Sequence, residues 1–97
     1  MTHNPPDDAV IRRNFEIKNR LGLHARAAAQ LVQALAKFNA DITVTKEGQA
    51  VNGKSIIGLM MLAAACGTTI EVAVHGPDAE AAVAAIEALI DEKFNEE

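Results

Sequence analysis

Two spacings of hydrophobic residues alternate along this chain, and the first is the period of two that is typical of strands with one buried face. It is clearest where Ile70, Val72 and Val74 alternate with polar or small neighbours. Near the start of the chain Arg13 falls on the apolar side of such a run, where a strand can emerge from the core. The pattern predicts four strands, at Val10–Lys18, Asp41–Lys46, Gln49–Val51 and Thr68–His75.

The second spacing, three or four residues between apolar positions, predicts three helices. Ser55 is a suitable N-cap for the second helix, and Gly67 is expected to end it. Asp78 is expected to cap the third helix, where it and Glu80 suit the positive end of the helix dipole. The three helices are predicted from Ala25 to about Lys37, from Ile56 up to Gly67, and from Ala79 to about Phe94.

The predicted order of elements is therefore βαββαβα. Alternating strand faces imply that one face of the sheet is covered and the other is open. The connections permit an antiparallel sheet with its helices layered on one side. We expect an α+β fold, an open-faced β-sandwich with a four-stranded antiparallel sheet and three helices on one face, over residues 10–97. The polar, proline-bearing segment of residues 1–9 is expected to be a flexible tail.

Composition and charge narrow the classes of function. The 97 residues suffice for one small domain. The 9 basic and 13 acidic residues give a net charge of −4, which argues against general nucleic-acid binding and suits docking on basic partner surfaces. No apolar run approaches the ~20 residues of a membrane span, and the N-terminus has no signal pattern. We expect no membrane insertion and a cytoplasmic location.

The single cysteine, Cys66, excludes an intrachain disulfide. We expect its thiol to be buried or half-buried, as free cysteines usually are. Cys66 and the three histidines do not have the spacing of metal ligands. The sequence therefore predicts neither a metal nor another cofactor.

The stretch richest in chemistry is Gly22-Leu23-His24-Ala25-Arg26, where a turn leads into an alanine-rich helix. His24 is expected at the N-terminus of that helix, where free N–H groups bind anions. A neutral imidazole can act as a nucleophile near pH 7, and Arg26 adds a forked cationic donor. This pattern predicts a nucleophile beside a phosphate site, although a lone histidine can also be a surface or capping residue. His3 and His75 are expected to be bystanders.

Two other segments imitate ligand-binding motifs. Gly48 to Ser55 satisfies the spacing of a phosphate-binding loop, but the chain is too short for a nucleotide-binding sheet with its magnesium-holding acidic residues. Gly53 to Gly58 has the outline of a nucleic-acid clamp, which the negative net charge disfavours. A hairpin, a turn and a serine cap are the preferred interpretation of this region.

The histidine segment, Gly22–Arg26, closely resembles the active-site motif of the HPr family, the histidine-containing phosphocarriers of the bacterial phosphotransferase system. Lys54–Met60 is similar to the regulatory-serine segment of that family. The resemblance covers Val10 to Phe94, and βαββαβα is the order of the family's open-faced sandwich. One departure is Ala27, where the family usually has proline. Because alanine also forms helices well and keeps its N–H, we expect the change to leave the nucleophile in place and to bear on partner preference and local rigidity.

The resemblance implies a role for each matching residue. His24 is phosphorylated at the ring nitrogen nearer the backbone, Arg26 contacts the phosphoryl group, and Ser55 is the residue that HPr kinase/phosphorylase modifies in some bacteria. Enzyme I is the implied donor and EIIA-type domains are the implied acceptors, in sugar uptake driven by phosphoenolpyruvate. The chain would be a monomeric carrier rather than a stand-alone enzyme. The implied docking patch for partners consists of Ile56, Ile57 and Met60.

Two alternatives stay open. The first is the nitrogen-related branch of the family, which Asn19–Gly22 and Gly76-Pro77 resemble, whereas Lys54-Ser55-Ile56 resembles the sugar branch. The two branches share the chemistry of His24, so the sequence separates them poorly. The second is a regulatory binding module with the same fold and no phosphotransfer, against which the intact His24 and Arg26 weigh.

Overall fold

The structure is a computed structural model that describes residues 10–96, and its elements follow the predicted βαββαβα order. The predicted tail at residues 1–9, with His3, lies outside the described residues, as does Glu97. The strands and helices are β1 (Val10–Glu16), α1 (Ala25–Leu35), β2 (Asp41–Lys46), β3 (Gln49–Asn52), α2 (Ile56–Met61), β4 (Thr69–His75) and α3 (Ala79–Asp91).

All neighbouring strands of the sheet are antiparallel, in the order β1-β4-β2-β3. The register brings apolar positions into rows across the sheet, because Val74 lies opposite Ile11 on one side and Ile42 on the other. Residues with an even spacing along a strand share one face, so these rows form a continuous apolar surface. The expected four-stranded antiparallel sheet is confirmed.

The helices cover that apolar surface and form one core with it. Small residues let them approach closely, since Ala27, Ala28 and Ala82 are fully buried. Close-packed aliphatic side chains from both layers fill the remaining space. The core includes Leu31, Leu35, Ile42, Val44, Ile70, Val72, Val74, Val83, Ile86 and Ile90. The predicted placement of three helices on one face of the sheet is confirmed.

The second helix is shorter than predicted, because it ends at Met61 instead of continuing to Gly67. Ala63 has a left-handed backbone (φ 52°), which takes the chain off the helix axis. Lys46 Nζ donates to the Ala63 carbonyl at 3.4 Å, and Gly67 N donates to the Ile17 carbonyl at 2.8 Å. The chain after α2 is therefore held against β2 and the residue that follows β1, and these long-range bonds replace the expected extra helical turn.

The third helix ends at Asp91, so the prediction that it runs to Phe94 is wrong. Phe94 is nevertheless buried, in a C-terminal turn at Lys93–Asn95 whose three residues all have positive φ angles of 53–58°. This left-handed turn reverses the chain and directs Glu96 toward the start of α1. Asp78 is the N-cap residue of α3 as predicted, but its side chain makes no cap bond, because its carboxylate instead accepts from Asn39 N at 2.7 Å.

The expectation of a buried or half-buried cysteine is wrong as well. Cys66 is exposed, in the turn between α2 and β4, and its Sγ lies 3.7 Å from the Lys18 carbonyl oxygen. The residue lies beyond the true end of α2, where the chain runs over the surface.

Candidate functional site

The loop before α1 is held by a glycine with a left-handed backbone. Gly22 has a φ of 70°, and a Cβ atom at this position would collide with the carbonyl oxygen of Ala64. The next residue, Leu23, donates its N–H to that same carbonyl at 2.9 Å. Glycine is required here because the two backbone segments approach so closely. The chain after α2 thereby fixes the position of the residue that starts α1.

His24 is that residue, and it occupies the N-cap position of α1 as predicted. Its backbone is extended (φ −79°, ψ −179°), and its carbonyl accepts the first helical bond, from Ala28 N at 2.9 Å. The imidazole makes no cap bond and is 29% exposed. The N–H groups of the first turn have no intrahelical partner. An imidazole that solvent can reach therefore adjoins a group of free donors at the positive end of a helix dipole.

Arg26 and Ala27 lie in this first turn and differ in exposure. Arg26 is exposed, and no hydrogen bond or ion pair within residues 10–96 holds its guanidinium. Ala27 is fully buried. The helix begins at Ala25 as predicted, so the helix start forms without the proline that is usual after the arginine. The guanidinium can move toward an anion at the helix end without breaking a contact with the described part of the chain.

Glu96 is a site residue that the sequence did not reveal. Its Oε1 accepts from Arg20 N at 2.6 Å, and its Oε2 accepts from Leu21 N at 3.2 Å and from Asn19 Nδ2 at 3.4 Å. The same Oε2 lies 3.8 Å from His24 Nε2, and the Glu96 side chain is 14% exposed. Burial opposes ionisation of this carboxyl, but the donors on Leu21, Asn19 and Arg20 outweigh it and lower the pKa of Glu96 below its usual value.

Asn19 ties the loop and the C-terminal turn together. It is fully buried, and its Nδ2 donates to the Gly22 carbonyl at 2.8 Å as well as to Glu96. Both neighbours are acceptors, so the amide nitrogen must face them. Asn19 Oδ1 is left with no hydrogen-bond partner among the described residues. The two bonds from Nδ2 therefore link the turn at Gly22 to the C-terminal turn through one buried side chain.

Ser55 occupies the N-cap of α2 as predicted. Its Oγ accepts from Gly58 N at 3.0 Å, and the side chain is half-buried. The Nζ of the preceding residue, Lys54, donates to the Phe38 carbonyl at 2.8 Å. This lysine is therefore engaged with the backbone and is not directed toward a phosphate-binding loop. These contacts agree with a hairpin, a turn and a serine cap.

Exposed apolar side chains lie at one edge of the histidine site. The three predicted patch residues are exposed, and Met61 and Leu21 join them although no local sequence signal marked these two. A cleft of about 340 Å³ is lined by His24 and by one residue of the predicted patch, Met60. Its lining includes Leu21, Leu23, His24, Met60 and Ala64. The structure therefore brings Met60 together with His24 in one cleft, whereas Ile56 and Ile57 are exposed but do not line it.

The other sequence features lie apart from this cleft. His75 ends β4, and its Nδ1 lies 3.8 Å from Asp41 Oδ2. Within residues 10–96 no three His, Cys, Asp or Glu side chains are arranged to hold a metal ion. No helix of the described range is both long and apolar enough to cross a bilayer.

Comparison with known proteins points to one family. The family model for the phosphorylation site of the HPr component of the phosphotransferase system matches residues 11–92. A phosphocarrier protein HPr from Neisseria meningitidis is 47% identical over 90% of this chain and 98% of its own length. A phosphocarrier protein NPr from Shewanella violacea is 43% identical over 89% and 94%. An HPr crystal structure from Thermoanaerobacter tengcongensis is 44% identical, covers 90% of this chain and 98% of its own, and superposes with a TM-score of 0.85.

Proposed function

Because this chain belongs to the HPr family and is a phosphocarrier of the phosphotransferase system, we propose that it carries the phosphoryl group on Nδ1 of His24. One observation carries this proposal: His24 is the N-cap of α1, and its accessible imidazole adjoins the free N–H groups of the first turn. Enzyme I is the donor and EIIA-type domains are the acceptors.

The transfer needs no chemistry beyond a nucleophile and an anion site. The lone pair of Nδ1 attacks phosphorus, the bond from phosphorus to the donor group breaks, and its electron pair stays with the donor. Negative charge spreads over the equatorial oxygens in the transition state. The first-turn N–H groups and the guanidinium of Arg26 stabilise that charge. The resulting phosphoramidate is then attacked by the acceptor, so the protein is a carrier that must be discharged.

The decisive experiment is incubation with Enzyme I and phosphoenolpyruvate, followed by intact mass spectrometry. We expect a single phosphoryl group that is labile in acid and stable in base. His24→Ala abolishes it, whereas the matched variant His75→Ala retains it, because His75 lies at the end of β4 and outside the cleft. Continued labelling of the His24 variant contradicts the assignment.

We further propose that Ser55 is a regulatory phosphorylation site for HPr kinase/phosphorylase. Its half-buried hydroxyl already accepts from Gly58 N, and it directly precedes the exposed Ile56 and Ile57. Phosphorylation adds a charge of about −1.5 to −2. A partner that covers the apolar patch would have to desolvate this charge, so docking weakens although the helix remains.

Within the family we propose the sugar branch, a cytoplasmic location and a monomeric state. Relatives named HPr and a relative named NPr are similarly identical to this chain, so the Lys54-Ser55-Ile56 segment is the feature that favours the sugar branch. Transfer from the phosphorylated protein to a sugar-type and a nitrogen-type EIIA domain, measured side by side, distinguishes the branches. Faster transfer to the nitrogen-type domain contradicts the proposal.

A further inference from the structure

We propose that Glu96 is a positioning residue that keeps the proton of His24 on Nε2 and thereby leaves the lone pair on Nδ1. This inference rests on the proposed function only for its consequence in phosphoryl transfer. The placement of the proton is a property of the free protein and can be measured without any partner.

The Glu96 carboxylate is built into the loop that precedes the histidine. Three donors hold it: the backbone N–H groups of Arg20 and Leu21 and the side-chain amide of Asn19. Because Asn19 also donates to the Gly22 carbonyl, the carboxylate and the turn before His24 form one hydrogen-bonded unit. Each donor favours the ionised form, so a negative charge is held at a defined place beside the imidazole.

The ring nitrogen of His24 that faces this charge is Nε2. Glu96 Oε2 lies 3.8 Å from His24 Nε2, which is within ion-pair distance and slightly beyond a direct hydrogen bond. Such contacts often tighten only when the reacting complex forms. A carboxylate can only accept, so it stabilises the tautomer whose proton is on Nε2. That tautomer has its lone pair on Nδ1.

The same carboxylate also balances the charge that the reaction creates. When the Nδ1 lone pair forms a bond to phosphorus, the donor group departs with its electron pair, and the ring keeps the proton on Nε2. The imidazole thus gains positive charge on the edge that faces Glu96. The phosphoryl group is then attached to the other ring nitrogen, Nδ1. Glu96 therefore resembles in its role the carboxylate that orients the histidine of a catalytic triad.

The test compares Glu96→Gln with wild type by ¹⁵N NMR of His24, with transfer from Enzyme I measured in parallel. In this variant the amide oxygen can keep the short contact with Arg20 N, which places its NH₂ group toward His24 Nε2. A donor there favours the lone pair on Nε2 and the proton on Nδ1. We expect the tautomer to shift toward Nδ1–H and the transfer rate to fall about tenfold or more, since the wrong nitrogen is then protonated.

Two further variants separate positioning from a structural effect. Glu96→Ala removes both the charge and the donor and should give the tautomer mixture of free histidine, between wild type and the glutamine variant. Glu92→Gln is the matched control, because Glu92 is an exposed carboxylate just before the same C-terminal turn; it should change neither quantity. Melting curves of all three verify the fold.

The outcomes are distinguishable. An unchanged tautomer in Glu96→Gln overturns the inference, and so does a shifted tautomer with an unchanged transfer rate. Failure of wild-type His24 to accept phosphate would refute the proposed function instead, whatever the NMR result. A tautomer shift that Glu96→Gln produces and Glu92→Gln does not, with slower transfer, supports the positioning role.

Discussion

Replacing Gly22 by alanine tests whether the approach of two backbone segments fixes the histidine loop. Gly22 has a φ of 70°, and a Cβ atom would meet the Ala64 carbonyl oxygen that accepts from Leu23 N. Gly48 is the matched control, because its φ of 84° is also left-handed but nothing lies within 4 Å of an added Cβ. Both substitutions introduce backbone strain, and only the first also displaces a buried hydrogen bond.

The expected losses in the free energy of unfolding follow from two contributions, the backbone strain and the lost hydrogen bond. A left-handed backbone costs a non-glycine residue roughly 1–2 kcal/mol, so Gly48→Ala should lower the free energy of unfolding by about that amount. Gly22→Ala adds the loss of the bond between Leu23 and Ala64, about 1–3 kcal/mol when buried groups stay unpaired. Its total is roughly 2–5 kcal/mol, a large part of the stability of a domain of this size.

Urea titrations of both variants, with the slope compared to wild type, measure these losses. Transfer from Enzyme I should fall in Gly22→Ala even at temperatures where it remains folded, because the displaced loop carries His24. Gly48→Ala should transfer at the wild-type rate. Equal losses of stability in the two variants would refute the idea that the contact with Ala64 holds the site.

Other predictions concern charge at the site. Arg26→Ala should slow transfer about tenfold or more, since a hydrogen bond to a charged group contributes ~1.5–3 kcal/mol, while melting is unchanged because Arg26 is exposed; a wild-type rate would remove it from the mechanism. Ser55→Asp, an imperfect mimic of phosphorylation, should slow transfer from Enzyme I with little change in circular dichroism, and an unaltered rate would leave Ser55 as a cap only. The lowered pKa of Glu96 means that its carboxylate stabilises the fold above the usual glutamate range and loses this effect as pH falls through the lowered value. The difference in melting temperature between wild type and Glu96→Gln should therefore shrink on acidification, and a difference independent of pH would contradict this.

Short-range patterns in the sequence determined most of the architecture. The period of two in strands and the helical spacing depend on neighbours along the chain, and these identified all four strands and all three helices. The N-cap positions of His24 and Ser55 could also be predicted from neighbouring residues alone, because an N-cap needs only a turn before it and a helix after it. The chemistry that depends on one residue at a helix start could therefore be predicted from the sequence.

Only the tertiary structure decided where helices stop and what else reaches the site. The second helix ends early because Ala63 turns the chain so that Ala64 can accept from Leu23. The third helix ends early because a left-handed turn follows it, and this turn places the side chain of Phe94 in the core. That turn delivers Glu96, from the far end of the chain, to the loop before His24. No local pattern encodes such a contact, since it arises from the packing of segments that are distant in sequence and adjacent in space.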